Sequence, residues 1–201
     1  MSIEIRTLDD DEQWNDLVRK SDAATGFHLA EALSVIADES NTTLDLLVGY
    51  KGEHPCGLLP VFTKQVGPFT VAFSPPPNLK VNYLGPMLIM PENMKKRRRE
   101  LRHSRFVDAA VEWLQAERGY VFATGRTAPG YDDVRPFLWN EFEATPRYTY
   151  VVDITPDPDD LLSAFSTDAR NNITNDHDVE HTISEGGPEE IQAILSQVSA
   201  R

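Results

Sequence analysis

Ile3-Glu4-Ile5-Arg6-Thr7-Leu8 alternates apolar and polar side chains, the period of a half-buried strand. Asp9, Asp10 and Asp11 follow, and Trp14, Leu17 and Val18 then recur at helical spacing, predicting a helix to about Lys20 whose acidic start complements its dipole. Thr25-Gly26 is a break. Leu29, Leu33 and Ile36 predict a second helix over about 28–38. Residues 44–50 and 56–64 read as strands joined by the turn-rich Lys51-Gly52-Glu53-His54-Pro55. Residues 69–73 form another short strand, and Pro75, Pro76 and Pro77 then interrupt the ladder because they donate no N–H. A strand is predicted to resume over 83–90. Gly85-Pro86 inside it argues for a bulge, an edge, or backbone that a ligand approaches closely.

Residues 95–118 predict a long helix with a buried stripe of Phe106, Ala109, Ala110, Trp113 and Leu114. A strand over 120–124 and a short helix over 131–139, interrupted by Pro136, come next. Phe142 and residues 148–154 flank Pro146 and predict further strand. Pro156 and Pro158 suit the first turn of a helix whose Leu161, Leu162 and Phe165 face inward. Residues 168–176 read as a polar helix or linker. Hairpins mixed with helices, without strict βαβ alternation, predict an α/β (α+β) fold with a mixed sheet.

The end of the chain repeats its beginning. Val179, His181 and Ile183 alternate as Ile3 and Ile5 do, an acidic Gly186-Gly187-Pro188 turn follows, and Ile191, Ile194, Leu195 and Val198 mark a helix. The expected organisation is one domain over 1–165 and, over 166–201, a linker and the truncated start of a related second unit.

Composition changes the picture in two ways. The single cysteine, Cys56, excludes an intrachain disulfide, the first residues are too polar for a signal peptide, and no apolar run nears the roughly 18 residues a membrane span needs. A soluble, cytoplasmic protein is expected. Acids number 32 against 19 bases, giving a net charge of −13, and six of the bases are lysine. Low lysine and dense acids suit an extremely halophilic solvent, where salt screens self-repulsion; an acidic domain that avoids nucleic acid is the alternative.

Candidate chemistry is sparse. His177 and His181 stand four apart, but on a strand that spacing spans about 13 Å, too far to share a metal. No metal site is expected. Cys56 lies two residues from His54 but opens the apolar run Gly57-Leu58-Leu59-Pro60-Val61-Phe62, which reads as a buried inert thiol. Lys95, Lys96, Arg97, Arg98, Arg99, Arg102 and Arg105 make one basic cluster. It reads as a solvated helix face that offsets the acidic surface, or as a binder of RNA or phosphate. No aromatic residues interleave with it. No phosphate-cradling glycine motif is present.

Thr25-Gly26-Phe27-His28, Leu47-Val48-Gly49-Tyr50, Gly57 to Phe62, Tyr83-Leu84-Gly85-Pro86, and Arg147 to Ile154 leading into Phe165 to Asn172 occur in an order that resembles the FemAB-like branch of the GNAT acyltransferase superfamily, including its BioF2-like acetyltransferase domains. The resemblance covers nearly the whole chain. It implies tandem GNAT-like domains, each a mixed, mainly antiparallel sheet flanked by helices, and transfer of an acyl or aminoacyl group to an amine acceptor. That acceptor would be a small molecule or a cell-envelope, glycan or peptide precursor. The implied donor is acyl-CoA or aminoacyl-tRNA, with tRNA then a partner. The resemblance implies substrate-binding positions at Phe27, His28, Tyr83, Gly85, Pro86 and Arg170 and names no catalytic side chain. Ala30-Glu31-Ala32 stands where the family usually has an aromatic. The superfamily's acyl-CoA pyrophosphate loop does not occur in 1–201, so this stretch is expected to hold no cofactor and to be inactive alone. A non-catalytic ligand-binding module and an RNA-contacting protein remain the alternatives.

Overall fold

The structure, a computed structural model, describes residues 2–175, 182 and 184–199. It divides into two compact units, Met1–Thr149 and Tyr150–Arg201.

The first unit is built on one mixed sheet. β1 (Glu4–Thr7), β2 (Thr43–Lys51), β3 (His54–Val66) and β4 (Phe69–Ser74) run antiparallel in that order, and β6 (Tyr120–Gly125) lies parallel to β4. β5 (Met87–Leu88) pairs with β3 at Leu58 and Gly57. β4 pairs with β3 from Phe62 to Val66, so β4 and β5 share one edge of β3 and leave a gap between them. Pro60 stands in that gap. Its carbonyl accepts a hydrogen bond of 2.7 Å from the Ser74 hydroxyl.

Helices cover both faces, which is why β3 reads as a continuous apolar run rather than an alternating one. On one face α1 (Asp11–Val18) and α2 (Ala30–Ser40) bring Trp14, Leu17, Leu33 and Ile36 against Leu46, Val48, Leu58 and Phe62. On the other, α3 (Lys96–Trp113) brings Phe106 and Ala110 against Leu47, Cys56, Leu59 and Val61. The alternation of Leu46, Leu47 and Val48 between the two cores is the two-residue period of a strand. α3 runs on through one π-helical turn, Leu114–Arg118, and Gly119 in the left-handed region then turns the chain into β6.

α1 is capped by the Asp10 side chain, which accepts from the Gln13 N–H at 2.9 Å. α2 starts two residues later than its spacing predicts, because Gly26–His28 forms a separate 3₁₀ turn. Leu29 sits at its N-cap and has no side-chain acceptor to offer. Asn15 of α1 supplies one instead: its Oδ1 accepts from the Ala30 N–H at 2.9 Å, while its Nδ2 donates to Glu31.

Several sequence expectations are corrected here. The strand predicted over 83–90 shrinks to Met87–Leu88 plus a single parallel bridge from Leu84 to Thr127, since Gly85 has φ +61° and breaks the extended path. Pro136 does not interrupt a helix; it sits in the first turn of α4 (Arg135–Trp139), where its missing N–H costs nothing. Residues 148–154 form no strand. Tyr148 and Tyr150 stand almost wholly in solvent, at 94% and 99% exposure, and among the described residues no strand lies beside them to pair with.

The second unit contains α5 (Pro158–Ala164), α6 (Thr167–Thr174) and α7 (Pro188–Ser199). Asp157 and Ser166 cap the first two. Leu161 and Leu162 are only partly covered and Phe165 is exposed, so the expected inward face is not buried. The helix expected at the end of the chain is present as α7. The strand expected before it, with His177 and His181, lies outside the described residues.

Candidate functional site

Three stretches distant in sequence meet at the C-terminal end of β4. The Gly85 N–H donates to the Ser74 hydroxyl at 3.1 Å, the Arg126 N–H donates to the Ser74 carbonyl at 2.8 Å, and the Leu84 N–H donates to the Arg126 carbonyl at 3.0 Å. A Cβ on Gly85 would lie 3.0 Å from both the Arg126 carbonyl oxygen and the Thr127 Cα, so only glycine fits this backbone crossing.

His28 ties the helical layer to this junction. Its Nδ1 accepts from the Thr25 N–H at 3.0 Å, and its Nε2 lies 3.1 Å from the Leu84 carbonyl. An N–H can only donate and a carbonyl only accept, so the proton is on Nε2. The side chain is fully buried, and desolvation lowers its pKa despite both hydrogen bonds. Trp14 completes the tie, its indole N–H donating to the His28 carbonyl at 2.7 Å.

Phe27, His28, Tyr83, Gly85 and Pro86 are therefore neighbours in space. Phe27 is exposed and Tyr83 partly so, while His28, Gly85 and Pro86 are buried. Arg170 belongs to α6 in the second unit, where its N–H donates to the Ser166 carbonyl.

A second feature lies on the opposite face of the sheet. A groove of about 440 Å³ runs between the first turns of α3, the start of β1 and the β2–β3 turn. Lys51, Arg98, Arg102 and Arg105 line it, with Ile3, Met94 and Leu101 as apolar wall. Among the described residues, neither Arg98 nor Arg102 forms an ion pair, whereas Arg118 and Arg135 each grip a carboxylate. A shallower groove of about 310 Å³ continues along α3 past Arg105 to Asp108 and Glu112.

A third cluster is legible only in the structure. His103, buried on α3, shares a short hydrogen bond between its Nε2 and the Tyr131 hydroxyl, and Asp133 lies 3.9 Å from its Nδ1. Arg135 holds Asp133 through a forked pair of hydrogen bonds, each 2.8 Å, and also reaches Glu100. Burial lowers the pKa of His103 and raises that of Tyr131, so both stay neutral near pH 7. The cluster pins α3 to the segment after β6. The signal for it was in the chain: His103 precedes Phe106 and Ala110 on the same helical stripe, where a polar side chain needs a buried partner.

Cys56 donates its thiol hydrogen to the Gly49 carbonyl at 3.2 Å and is wholly buried, while His54 is exposed. The described residues contain no group of three or more His, Cys, Asp or Glu side chains placed to hold a metal ion. No helix among them is long and apolar enough to cross a membrane.

No protein-family model matches the chain, and no curated protein matches it. Among solved structures it is similar to the crystal structure of ribosomal-protein-alanine N-acetyltransferase from Brucella melitensis biovar Abortus 2308. That similarity covers 77% of this chain and 100% of that one, at 10% identity and a TM-score of 0.42.

Proposed function

We propose that this chain is the acceptor-recognition part of a GNAT-type acyl- or aminoacyltransferase of the FemAB-like branch, acting on an amine of a cell-envelope, glycan or peptide precursor. The observation that carries the reading is the convergence at the end of β4. Two of the stretches that resemble the family, Thr25 to His28 and Tyr83 to Pro86, are separated by more than fifty residues and are joined by the His28–Leu84 hydrogen bond. Next to the buried His28 and Leu84, Phe27 is exposed and Tyr83 partly exposed. The mixed sheet, antiparallel except for β4 and β6, agrees with the architecture the resemblance implies.

Such a site works by position. An amine held at attack distance from an acyl carbonyl gains up to about 7–11 kcal/mol from proximity and orientation alone. Both nitrogens of His28 and the Ser74 hydroxyl are committed within the protein, so neither group is free to act as a general base. The same commitment favours the second reading, a ligand-binding module without transfer.

Titrating the chain with an amine-bearing glycopeptide, with amide resonances followed by NMR, tests the site. Saturable shifts at Phe27, Tyr83 and Gly85 are expected, and their absence removes the reading. Transfer of a labelled acetyl group from acetyl-CoA, or of an amino acid from charged tRNA, to that glycopeptide by the full-length protein separates the enzyme from the binding module.

A further inference from the structure

We propose that the groove along α3 is a binding site for a small phosphate monoester or diphosphate monoester whose organic part is apolar. The site is separate from the acceptor junction, because α3 packs on the other face of the sheet from His28 and Leu84.

Arg98 and Arg102 are four residues apart on α3 and Arg105 follows three later, so their side chains form one stripe. Lys51 reaches the same groove from the end of β2. Among the described residues no acid lines this groove, in a chain with 32 acids against 19 bases. Arg98 and Arg102, like charges at this helical spacing, repel one another, and an anion seated between them removes the repulsion. Planar guanidinium groups match the oxygens of a phosphate with two parallel hydrogen bonds each, and a lysine adds a point charge. The first turns of α3 carry cations against the helix dipole, which a dianion at that end also offsets.

Two observations limit the size of the ligand. The volume of about 440 Å³ falls in the range of small-molecule pockets, and Ile3, Met94 and Leu101 give it apolar walls. Beyond Arg105 the groove meets Asp108 and Glu112, so a polyanion laid along the helix runs into negative charge. Among the described residues no aromatic side chain lines the groove, so stacked bases gain nothing from them. A nucleic acid is therefore the disfavoured occupant.

The test uses hexyl phosphate, inorganic phosphate and bulk tRNA against the full chain, by calorimetry and amide NMR at fixed low salt. Hexyl phosphate should bind saturably and at least tenfold more tightly than inorganic phosphate. Arg98→Gln and Arg102→Gln should each weaken it tenfold or more, and Lys51→Gln should weaken it several-fold. Lys96→Gln, outside the groove, should leave it within twofold. Equal affinity for the two phosphates, or equal loss from all four substitutions, would show diffuse charge attraction and overturn the proposal. So would tRNA binding more tightly than hexyl phosphate and depending equally on Lys96. Amides of Phe27 and Tyr83 should not move with hexyl phosphate, so failure here and failure of the acceptor site are read separately.

Discussion

The ring of Phe106 lies so close to Gly57 that a Cβ there would sit 2.7 Å from the ring. Gly49, the partner of Gly57 across β2 and β3, lies under the same ring and has no room for a Cβ either. Two glycines in register thus make a bare patch on the sheet into which α3 drops its largest fully buried side chain. Gly57→Ala and Gly49→Ala should each destabilise the first unit by about 1–3 kcal/mol through overpacking. Phe106→Ala should cost about 3–5 kcal/mol through the cavity it leaves. Urea midpoints measure all three. Gly57→Ala combined with Phe106→Leu should cost less than the sum, because the two changes share one contact. Strict additivity would mean that ring and glycine do not hold each other.

His28 makes stability depend on pH with a definite sign. Burial lowers its folded pKa below the value of about 6.5 it has when unfolded. Between those two values the unfolded chain binds the extra proton, so this residue's contribution is full above about pH 6.5 and shrinks as pH falls through the window. His103 acts in the same direction. The difference in unfolding free energy between the wild type and His28→Gln should therefore narrow from pH 7.5 to pH 5. A difference that stays constant or widens on acidification would show that His28 is not held neutral.

The chain announced its main elements because their causes are local. Trp14, Leu17 and Val18 at helical spacing, the apolar run from Cys56 to Phe62, and the amphipathic face of α3 each carry their own pattern. What the pattern hid was long-range. The helical cap on Ala30 comes from Asn15, and a leucine at the N-cap gives no hint of it. Residues 148–154 alternate well, yet a strand exists only where another strand accepts its hydrogen bonds. The candidate site was half legible. Gly85-Pro86 inside an apolar stretch pointed to a bulge, an edge or a ligand close to the backbone, and what lies there instead is the chain's own backbone at Arg126 and Thr127. The basic run was legible as charge, but the groove it lines depends on Ile3 and Lys51 arriving from elsewhere.

Asp45 is buried on β2 and is gripped by Arg118, 73 residues later, through Nε at 2.8 Å and Nη2 at 2.5 Å. The guanidinium also lies over the Trp113 ring, 5.1 Å from its centroid. Arg118→Ala would strand a buried carboxylate. Because the arginine itself is about one-third exposed, water softens the loss, and a cost of about 1–3 kcal/mol is expected. Arg118→Lys should recover less than half of it, since an ammonium cannot span both oxygens. Full recovery by lysine, in thermal or urea unfolding, would show that charge alone matters here.

Cys56 should be chemically silent. Burial raises its thiol pKa to about 11, and Arg102 and Lys51 offset this only slightly. At pH 8 a disulfide reagent should find no reactive thiol in the native protein and one after denaturation. The raised value also implies that stability falls as pH climbs above about 8.5, where the unfolded thiol ionises first. Rapid labelling of the native protein at pH 8 would contradict this placement.

Gly85 is the most demanding position at the junction with Ser74, Arg126 and Thr127. Its φ of +61° disfavours any L side chain, and a Cβ would press on backbone that cannot rotate away, the Arg126 carbonyl and the Thr127 Cα. Gly85→Ala should cost more than about 1 kcal/mol, beyond the ordinary price of an alanine at positive φ, because the crossing must open as well. Opening it loosens the Gly85–Ser74 and Leu84–Arg126 hydrogen bonds together. Hydrogen exchange should therefore quicken at Gly85, Leu84 and Arg126 while the amides of Leu47 and Val48, deep in the sheet, keep their protection. If exchange rose equally at all five amides, the junction would unfold only with the whole sheet. The surface it presents could then not be altered separately from the fold.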